Sequence, residues 1–328
     1  MDIGLLWAAT IAFSVLAYAL LDGFDLGVGI LFPFFSDTEK DAAIESIAPV
    51  WDGNETWLVL GGGGLFAAFP MAYAVLLSAF YAPVTAMLLA LVLRGVAIEY
   101  RAKTRRHRSL WDICFAIGSF LAAFMQGIML GAFIQGVAVS DRAYAGGWFD
   151  WLSPFSLSCG LAIVCGYALL GANWLGIKSE ETVRRREGWM VPLAVLVFVW
   201  IIVLSTWTPY LDPRLSARWF TWPDMLFLAP IPLGVVVVTI LLLRALRAQQ
   251  RWRSFIFAEG LFLITFAGFG ISTYPYIVPH AVTIRAAQAP ETSLVFLGVG
   301  MLFLLPVVIA YTAHAYWVFR GPVSNRRS

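Results

Sequence analysis

The sequence predicts an all-α integral membrane protein: nine transmembrane helices, disposed as two parallel-repeat four-helix bundles and a peripheral ninth helix. Three observations lead to this class. Of the 328 residues, 60% are hydrophobic and 13% charged, where soluble chains average about half apolar and a quarter charged. Nine segments offer the roughly 20 apolar residues that a membrane-crossing helix needs; their centres lie near residues 16, 61, 86, 124, 166, 198, 234, 266 and 305. A ten-residue echo, YALLDGFDLG at 18–27 and YALLGANWLG at 167–176, links the first span to the fifth. FAIG at 115–118 and FAEG at 257–260 repeat more faintly in spans four and eight, each shortly after a Trp. Internal repeats in one membrane orientation mark duplicated helix bundles. The expected units are 1–137, the first bundle with the acidic motifs; 138–280, the second bundle; and 281–328, the ninth span with a short tail.

Span one opens on MDIGLLWAATIAFSVLAYALL, whose apolar run has no basic stretch ahead of it, so it reads as a retained helix and not as a secretory signal. The loop that follows, SDTEKDAAIESIAP, is acidic. Ser36 stands three residues before Glu39, the spacing of a capping box, and predicts a short surface helix ending before Pro49. Sixteen of the 22 Lys and Arg gather in alternate gaps and the tail: Arg101, Lys103, Arg105, Arg106 and Arg108; Lys178 and Arg184 to Arg186; Arg244, Arg247, Arg251 and Arg253; Arg320, Arg326 and Arg327. The intervening loops hold Arg142, Arg214, Arg218 and Arg285. Basic loops stay in the cytoplasm, which puts the N-terminus outside and the C-terminus inside, the parity that nine spans require. Nothing in this pattern is a nucleic-acid footprint. Cys114, Cys159 and Cys165 lie in apolar segments without a CxxC pair and read as buried small hydrophobes.

The chemistry-bearing residues are carboxylates in the first three spans. Asp22 and Asp25, spaced i, i+3, share one helix face, and Gly23 with Gly27 forms a GxxxG step that lets a neighbouring backbone approach. An acid in lipid costs roughly 2.5 to 3.5 kcal/mol even on the lenient scale, so both should face protein or water. Span two opens on WDGNETW. There Asp52 and Glu55 share a face, while Asn54 and Trp57 share another, about 200° from Asp52 at 100° per residue. With Arg94 and Glu99 of span three, Asp22, Asp25, Asp52 and Glu55 are expected in the cytoplasmic half, close enough for the acids to pair with Arg94 or the basic loops. Glycines 61 to 64 predict close helix packing; no Lys-Ser or Lys-Thr follows them to make a phosphate cradle. Gln126, Gln135, Asn173 and Glu259 are candidate interhelical hydrogen-bond partners. His107, His280 and His314 fall on no common helix face, so a haem or di-metal site built from this chain alone is not expected.

Three motifs, DGFDLGVG (22–29), IAPVWDGNETWL (47–58) and GGLFAAFP (63–70), resemble subunit II of the cytochrome bd-type quinol oxidases, and the likeness in length, span count and order covers the whole chain. The resemblance implies the catalytically silent, non-haem subunit of a quinol:dioxygen oxidoreductase of aerobic respiration in the bacterial cytoplasmic membrane. It implies a heterodimer with subunit I. That partner holds two b-type haems and one d-type or third b-type haem, oxidises quinol, and reduces dioxygen to water with cytoplasmic protons. A small single-span accessory subunit and a structural quinone also belong to what the family allows. By motif position, Asp52 and Glu99 resemble the carboxylates that lead protons across the subunit boundary. Trp57 resembles the residue beside a lateral dioxygen route, and Asp22 and Asp25 belong to the same hydrophilic region or anchor it. Glu55 is not carried over, and Glu99 stands where Asp is common. The loop from Pro209 to Pro223, about fifteen residues, is short and leans toward the cyanide-insensitive branch.

The alternative is a proton-coupled secondary transporter, since intramembrane acids and repeats mark that class too. A transporter should keep acids in both halves, yet Gly171 and Trp174 stand where the first half has Asp22 and Asp25. A purely structural scaffold would need the acids to be inert.

Overall fold

The computed structural model describes residues 2–104, 106–178 and 187–323; Arg105, Arg184 to Arg186, Arg326 and Arg327 of the basic clusters lie outside the described residues. Helix α1 (Ile3–Leu31) starts at Asp2, whose carboxylate accepts from the Gly4 and Leu5 amides at 3.1 and 3.4 Å and so serves N–H groups that have no partner within the helix. The acidic loop forms α2 (Asp37–Ile47), with Ser36 N donating to Glu39 Oε2 at 2.7 Å as the capping box requires.

The second span ends at a break. Helix α3 (Trp51–Ala68) stops because Pro70 has no N–H to continue the ladder, and α4 (Pro70–Ala79) resumes after Phe69. The Ala68 carbonyl at this break accepts from Ala289 N at 2.9 Å. Next come α5 (Tyr81–Lys103), α6 (Arg108–Gln135), the small hairpin β1 (Val139–Ser140) and β2 (Ala143–Tyr144), α7 (Pro154–Lys178) and α8 (Glu187–Trp207). The expected short loop from Pro209 to Pro223 holds helix α9 (Pro213–Phe220), and α10 (Asp224–Leu228) follows it. Asp212 caps α9, accepting from Arg214 N at 2.7 Å, and Pro213 fills the first helical position, where a missing N–H costs nothing. The chain closes with α11 (Pro230–Arg247), α12 (Arg251–Thr273), the hairpin β3 (Tyr276–Val278) and β4 (Val282–Thr283), α13 (Ile284–Ala287) and α14 (Glu291–Val318).

Among the described residues, eight helices are long and apolar enough to cross a membrane. The remaining expected span, centred near residue 61, is α3, whose polar opening, WDGNET, sets it apart, while α4 is a shorter apolar helix that packs on β2 and β3. Helices α1, α3, α5 and α6 form one bundle; α7, α8, α11 and α12 form the other. Helices α1 and α6 lie against α7 and join the two, while α14 rests at the edge on α1 and α3, with Leu294 its single buried residue.

The two repeat helices meet through glycine. A Cβ on Gly27 would overlap the Tyr167 carbonyl, and one on Gly171 would overlap Gly27 itself, so backbone lies on backbone. Gln126 of α6 ties the repeat's tyrosines together: Nε2 donates to Tyr18 Oη at 2.9 Å and Oε1 accepts from Tyr167 Oη at 2.8 Å. Of the glycines at 61 to 64, Gly61 and Gly64 pack on Val15 and Ile11, at 3.4 and 3.2 Å from a Cβ, whereas Gly62 and Gly63 would meet nothing within 4 Å. At 100° per residue four consecutive positions cannot share one face. At the basic end, α2 is clamped down: Arg101 reaches Asp41 at 2.8 Å and Asp112 at 2.5 Å, Lys40 reaches Asp112 at 3.0 Å, and Arg108 pairs with Asp41.

Candidate functional site: a buried guanidinium between carboxylates

Arg94 on α5 is fully buried, and a cation at such depth persists only with counter-charges beside it. Asp22 of α1 pairs with Nη2, and Glu55 of α3 accepts from Nη1 at 2.5 Å. Asp22 is 0% exposed and Glu55 26%. The Trp51 ring lies 5.6 Å from the guanidinium carbon, adding a cation–π contact. One side chain thus holds three helices together.

Asp25, one turn beyond Asp22 and equally buried, is bound by a different group. Asn54 Nδ2 donates to Asp25 Oδ2 at 2.7 Å and to the Leu21 carbonyl at 3.2 Å, and Asn54 Oδ1 accepts from Tyr316 Oη at 3.0 Å. Tyr316 belongs to α14, and its ring stands edge-on to Phe24 and Trp174 at 6.3 and 6.0 Å. The amide of Asn54 is therefore turned with its donor end on the acid and its carbonyl on a hydroxyl from the last helix.

The six ionisable groups expected together divide into two sets. Asp22, Glu55 and Arg94 touch, and Asp25 joins through Asn54 on the same α3 turn. Asp52 is exposed, and Glu99, 56% exposed, pairs with Lys103 at 3.2 Å. Neither reaches the buried cluster. Helical spacing accounts for the division on α3, because Asn54 and Trp57 occupy the buried face and Asp52 the open one. Trp57 is 2% exposed, packed on Ala17, Tyr18, Leu305 and Val308 and edge-on to Phe13 at 5.6 Å.

Among the other polar candidates, Gln126 bridges helices as described, and Gln135 accepts from Ser153 Oγ at 2.6 Å. Asn173 differs from expectation: its Nδ2 donates to the Leu169 carbonyl of its own helix at 2.8 Å, a local bond open to any short amide one turn on. Glu259 differs too, since its Oε2 is buried without a hydrogen-bond partner among the described residues. The histidines are scattered. His107 is exposed, His280 Nδ1 faces Asp212 Oδ2 at 3.3 Å, and His314 lies beside the Trp317 ring. Among the described residues no cluster of three His, Cys, Asp or Glu could hold a metal ion.

Fold and site define a polytopic helical membrane protein in which the first of two repeated helices carries the buried pair Asp22 and Asp25, with further acids turned outward from the chain. The family model for cytochrome bd terminal oxidase subunit II matches residues 3–319, and the chain belongs to that family. It is one part of an oxidase complex of a bacterial membrane. The chain is similar to cytochrome bd-I ubiquinol oxidase subunit 2 of Escherichia coli (strain K12), with 31% identity over 98% of this chain and 95% of that one. It is also similar to cytochrome bd ubiquinol oxidase subunit 2 of Bacillus subtilis (strain 168), with 28% identity over 98% and 97%. In fold it matches a chain of the bd oxidase from Geobacillus thermodenitrificans, with a TM-score of 0.81 at 18% identity, covering 97% of this chain and 99% of that one. The transporter alternative finds no support in these likenesses.

Proposed function

We propose that this chain is the non-haem subunit of a quinol:dioxygen oxidoreductase, that it stabilises a haem-bearing subunit I, and that it lines the proton and dioxygen routes of the complex. The N-terminus is outside and the basic loops face the cytoplasm, so the acidic end of α3 and the end of α5 lie at the proton-donating side. The observation that carries this reading is the division of the acids. Asp22 and Asp25 are buried and bound within the chain, as anchors of the hydrophilic region, whereas Asp52 and Glu99 are presented outward. An outward carboxylate near hydrocarbon is costly, and a partner protein with water at the boundary removes that cost. Asp52 and Glu99 then hand protons across to subunit I, where haem supplies the redox chemistry. Trp57, walled by apolar side chains of α1 and α14, borders a path suited to a small apolar solute such as dioxygen.

The test is Asp52→Asn and Glu99→Gln in the whole complex, reconstituted in liposomes. Slowed quinol-dependent oxygen consumption and proton uptake with unchanged haem spectra are expected. Wild-type turnover and proton uptake in both variants would remove the proton role.

A further inference from the structure

At the membrane end away from the basic loops lies a cleft walled by Ile134 at the end of α6, Arg214 and Arg218 of α9, Ser272 and Thr273 at the end of α12, and His280. The sequence places only four cations at that end, and two of them converge here. Arg285 is neutralised elsewhere, at 3.0 Å from Asp2. Arg218 Nη1 donates to the Ile271 carbonyl at 2.5 Å and to the Tyr274 carbonyl, and the guanidinium meets no carboxylate among the described residues. Arg214, 60% exposed, donates to the His280 carbonyl at 3.2 Å; its Nε is 3.7 Å from Asp212 Oδ1. Asp212 is the one carboxylate present, and it is shared with the α9 amide and His280 Nδ1. Two guanidiniums against one divided carboxylate leave the cleft with surplus positive charge.

The chain that runs on from Arg218 is apolar and aromatic. Phe220, Trp222 and Phe227 are 64%, 70% and 79% exposed, the residue types that sit at a membrane–water boundary. Helix α9 carries basic and apolar faces, as interfacial helices do, and Trp219 Nε1 fastens it to α12 by donating to Ser272 Oγ at 2.9 Å. Fixed guanidiniums recognise phosphate oxygens, and basic recesses between membrane helices suit acidic headgroups. Charge in the recess and exposed rings two to nine residues beyond Arg218 together call for a ligand with a phosphate and apolar tails. We propose that this cleft binds the phosphate of an anionic phospholipid, with the acyl chains lying against Phe220, Trp222 and Phe227.

The test uses the intact complex in native mass spectrometry, titrated with phosphatidylglycerol, with phosphatidylcholine, or with inorganic phosphate. Phosphatidylglycerol should bind the wild type well above phosphatidylcholine, and Arg214→Gln should weaken that binding about tenfold, the size of one charge-assisted hydrogen bond. Arg214 is largely exposed and makes one carbonyl contact, so its variant keeps the fold even where Arg218→Gln does not. Arg142→Gln, which removes a cation from the same membrane end outside the cleft, should leave binding unchanged. Equal binding of the two lipids, equal affinity in wild type and Arg214→Gln, or an equal loss in Arg142→Gln would overturn the proposal. Displacement of the lipid by millimolar inorganic phosphate would likewise overturn it, by making the site one for the free anion.

Discussion

Replacing Arg94 with Met tests whether the buried ion pair organises the first bundle. The guanidinium makes two charge-assisted contacts of unequal depth, with Asp22 at 0% and Glu55 at 26% exposure. Removing one partner of a fully buried pair costs about 3–5 kcal/mol, because the other charge is left without compensation. A partly exposed carboxylate can turn to water, and losing its pair costs about 0–1 kcal/mol. The expected order of destabilisation is therefore Arg94→Met at about 3–5 kcal/mol, far above Glu55→Gln at about 1 kcal/mol or less. The double variant Arg94→Met with Asp22→Leu removes both buried charges and keeps apolar volume, so it should return to within about 1 kcal/mol of the wild type, as replaced buried pairs do. The assay is denaturation of the complex in mixed detergent micelles, read as the shift of the unfolding midpoint across the four proteins. Glu55→Gln matching Arg94→Met, or a double variant no more stable than Arg94→Met alone, would refute the assignment of the Asp22 pair as the one that matters.

Gly27→Val should prevent the α1–α7 approach, since its Cβ would overlap the Tyr167 carbonyl, and a loss of about 1–3 kcal/mol or more is expected from forced overpacking; Gly62→Ala, with open space around it, should keep wild-type thermal stability. Tyr316→Phe retains the ring contacts but removes the hydroxyl bonded to Asn54, at about 1 kcal/mol, visible as a lowered melting midpoint. The hydrogen bond from Arg285 holds the Asp2 carboxyl below its ordinary value. A group whose folded pKa is depressed stabilises the fold above its unfolded pKa and ceases to do so as pH falls through the folded one. The stability gap between wild type and Asp2→Ala should accordingly be constant near neutrality and close in acid, which a series of melting curves from pH 7 downward would show.

The buried acids were legible because burial of charge is costly. Asp22 and Asp25 lie so deep in an apolar run that only protein partners could sustain them, and Arg94 is the one cation at matching depth in the first three spans. The division of span two into an inner and an outer face was legible from the 100° helical step. The break after Ala68 had a signal, Pro70, since a ring in place of an N–H ends a ladder, and the capped helix α9 had one in Asp212 followed by Pro213. Asn54 could be placed on the inner face, yet its link to Asp25 depends on how α1 is rotated against α3. Tyr316 had no signal at all. It lies far along the chain in a helix that otherwise faces outward, and nothing in an apolar sequence says where such a helix docks. Asn173 and Glu259 depart from the expected interhelical role because a polar residue in a span can bond within its own helix or keep an oxygen unbonded.

Helix α14 is hydrogen-bonded at both extremities, and between them Leu305 and Val308 pack in the cluster around Trp57. Near its start, Ala289 N donates to the Ala68 carbonyl and Trp7 Nε1 donates to the Leu294 carbonyl at 3.1 Å. Near its finish, Tyr316 meets Asn54, and Lys178 Nζ donates to the Phe319 carbonyl and, at 3.2 Å, to that of Gly321. Such a strap is sensitive to a change of length. Adding one residue would swing Tyr316 by 100° and advance it 1.5 Å, unbuckling the far end while leaving composition and hydropathy almost untouched. The residue count between the two ties is thus a constraint in its own right, separate from the packing of Leu305 and Val308 near Trp57.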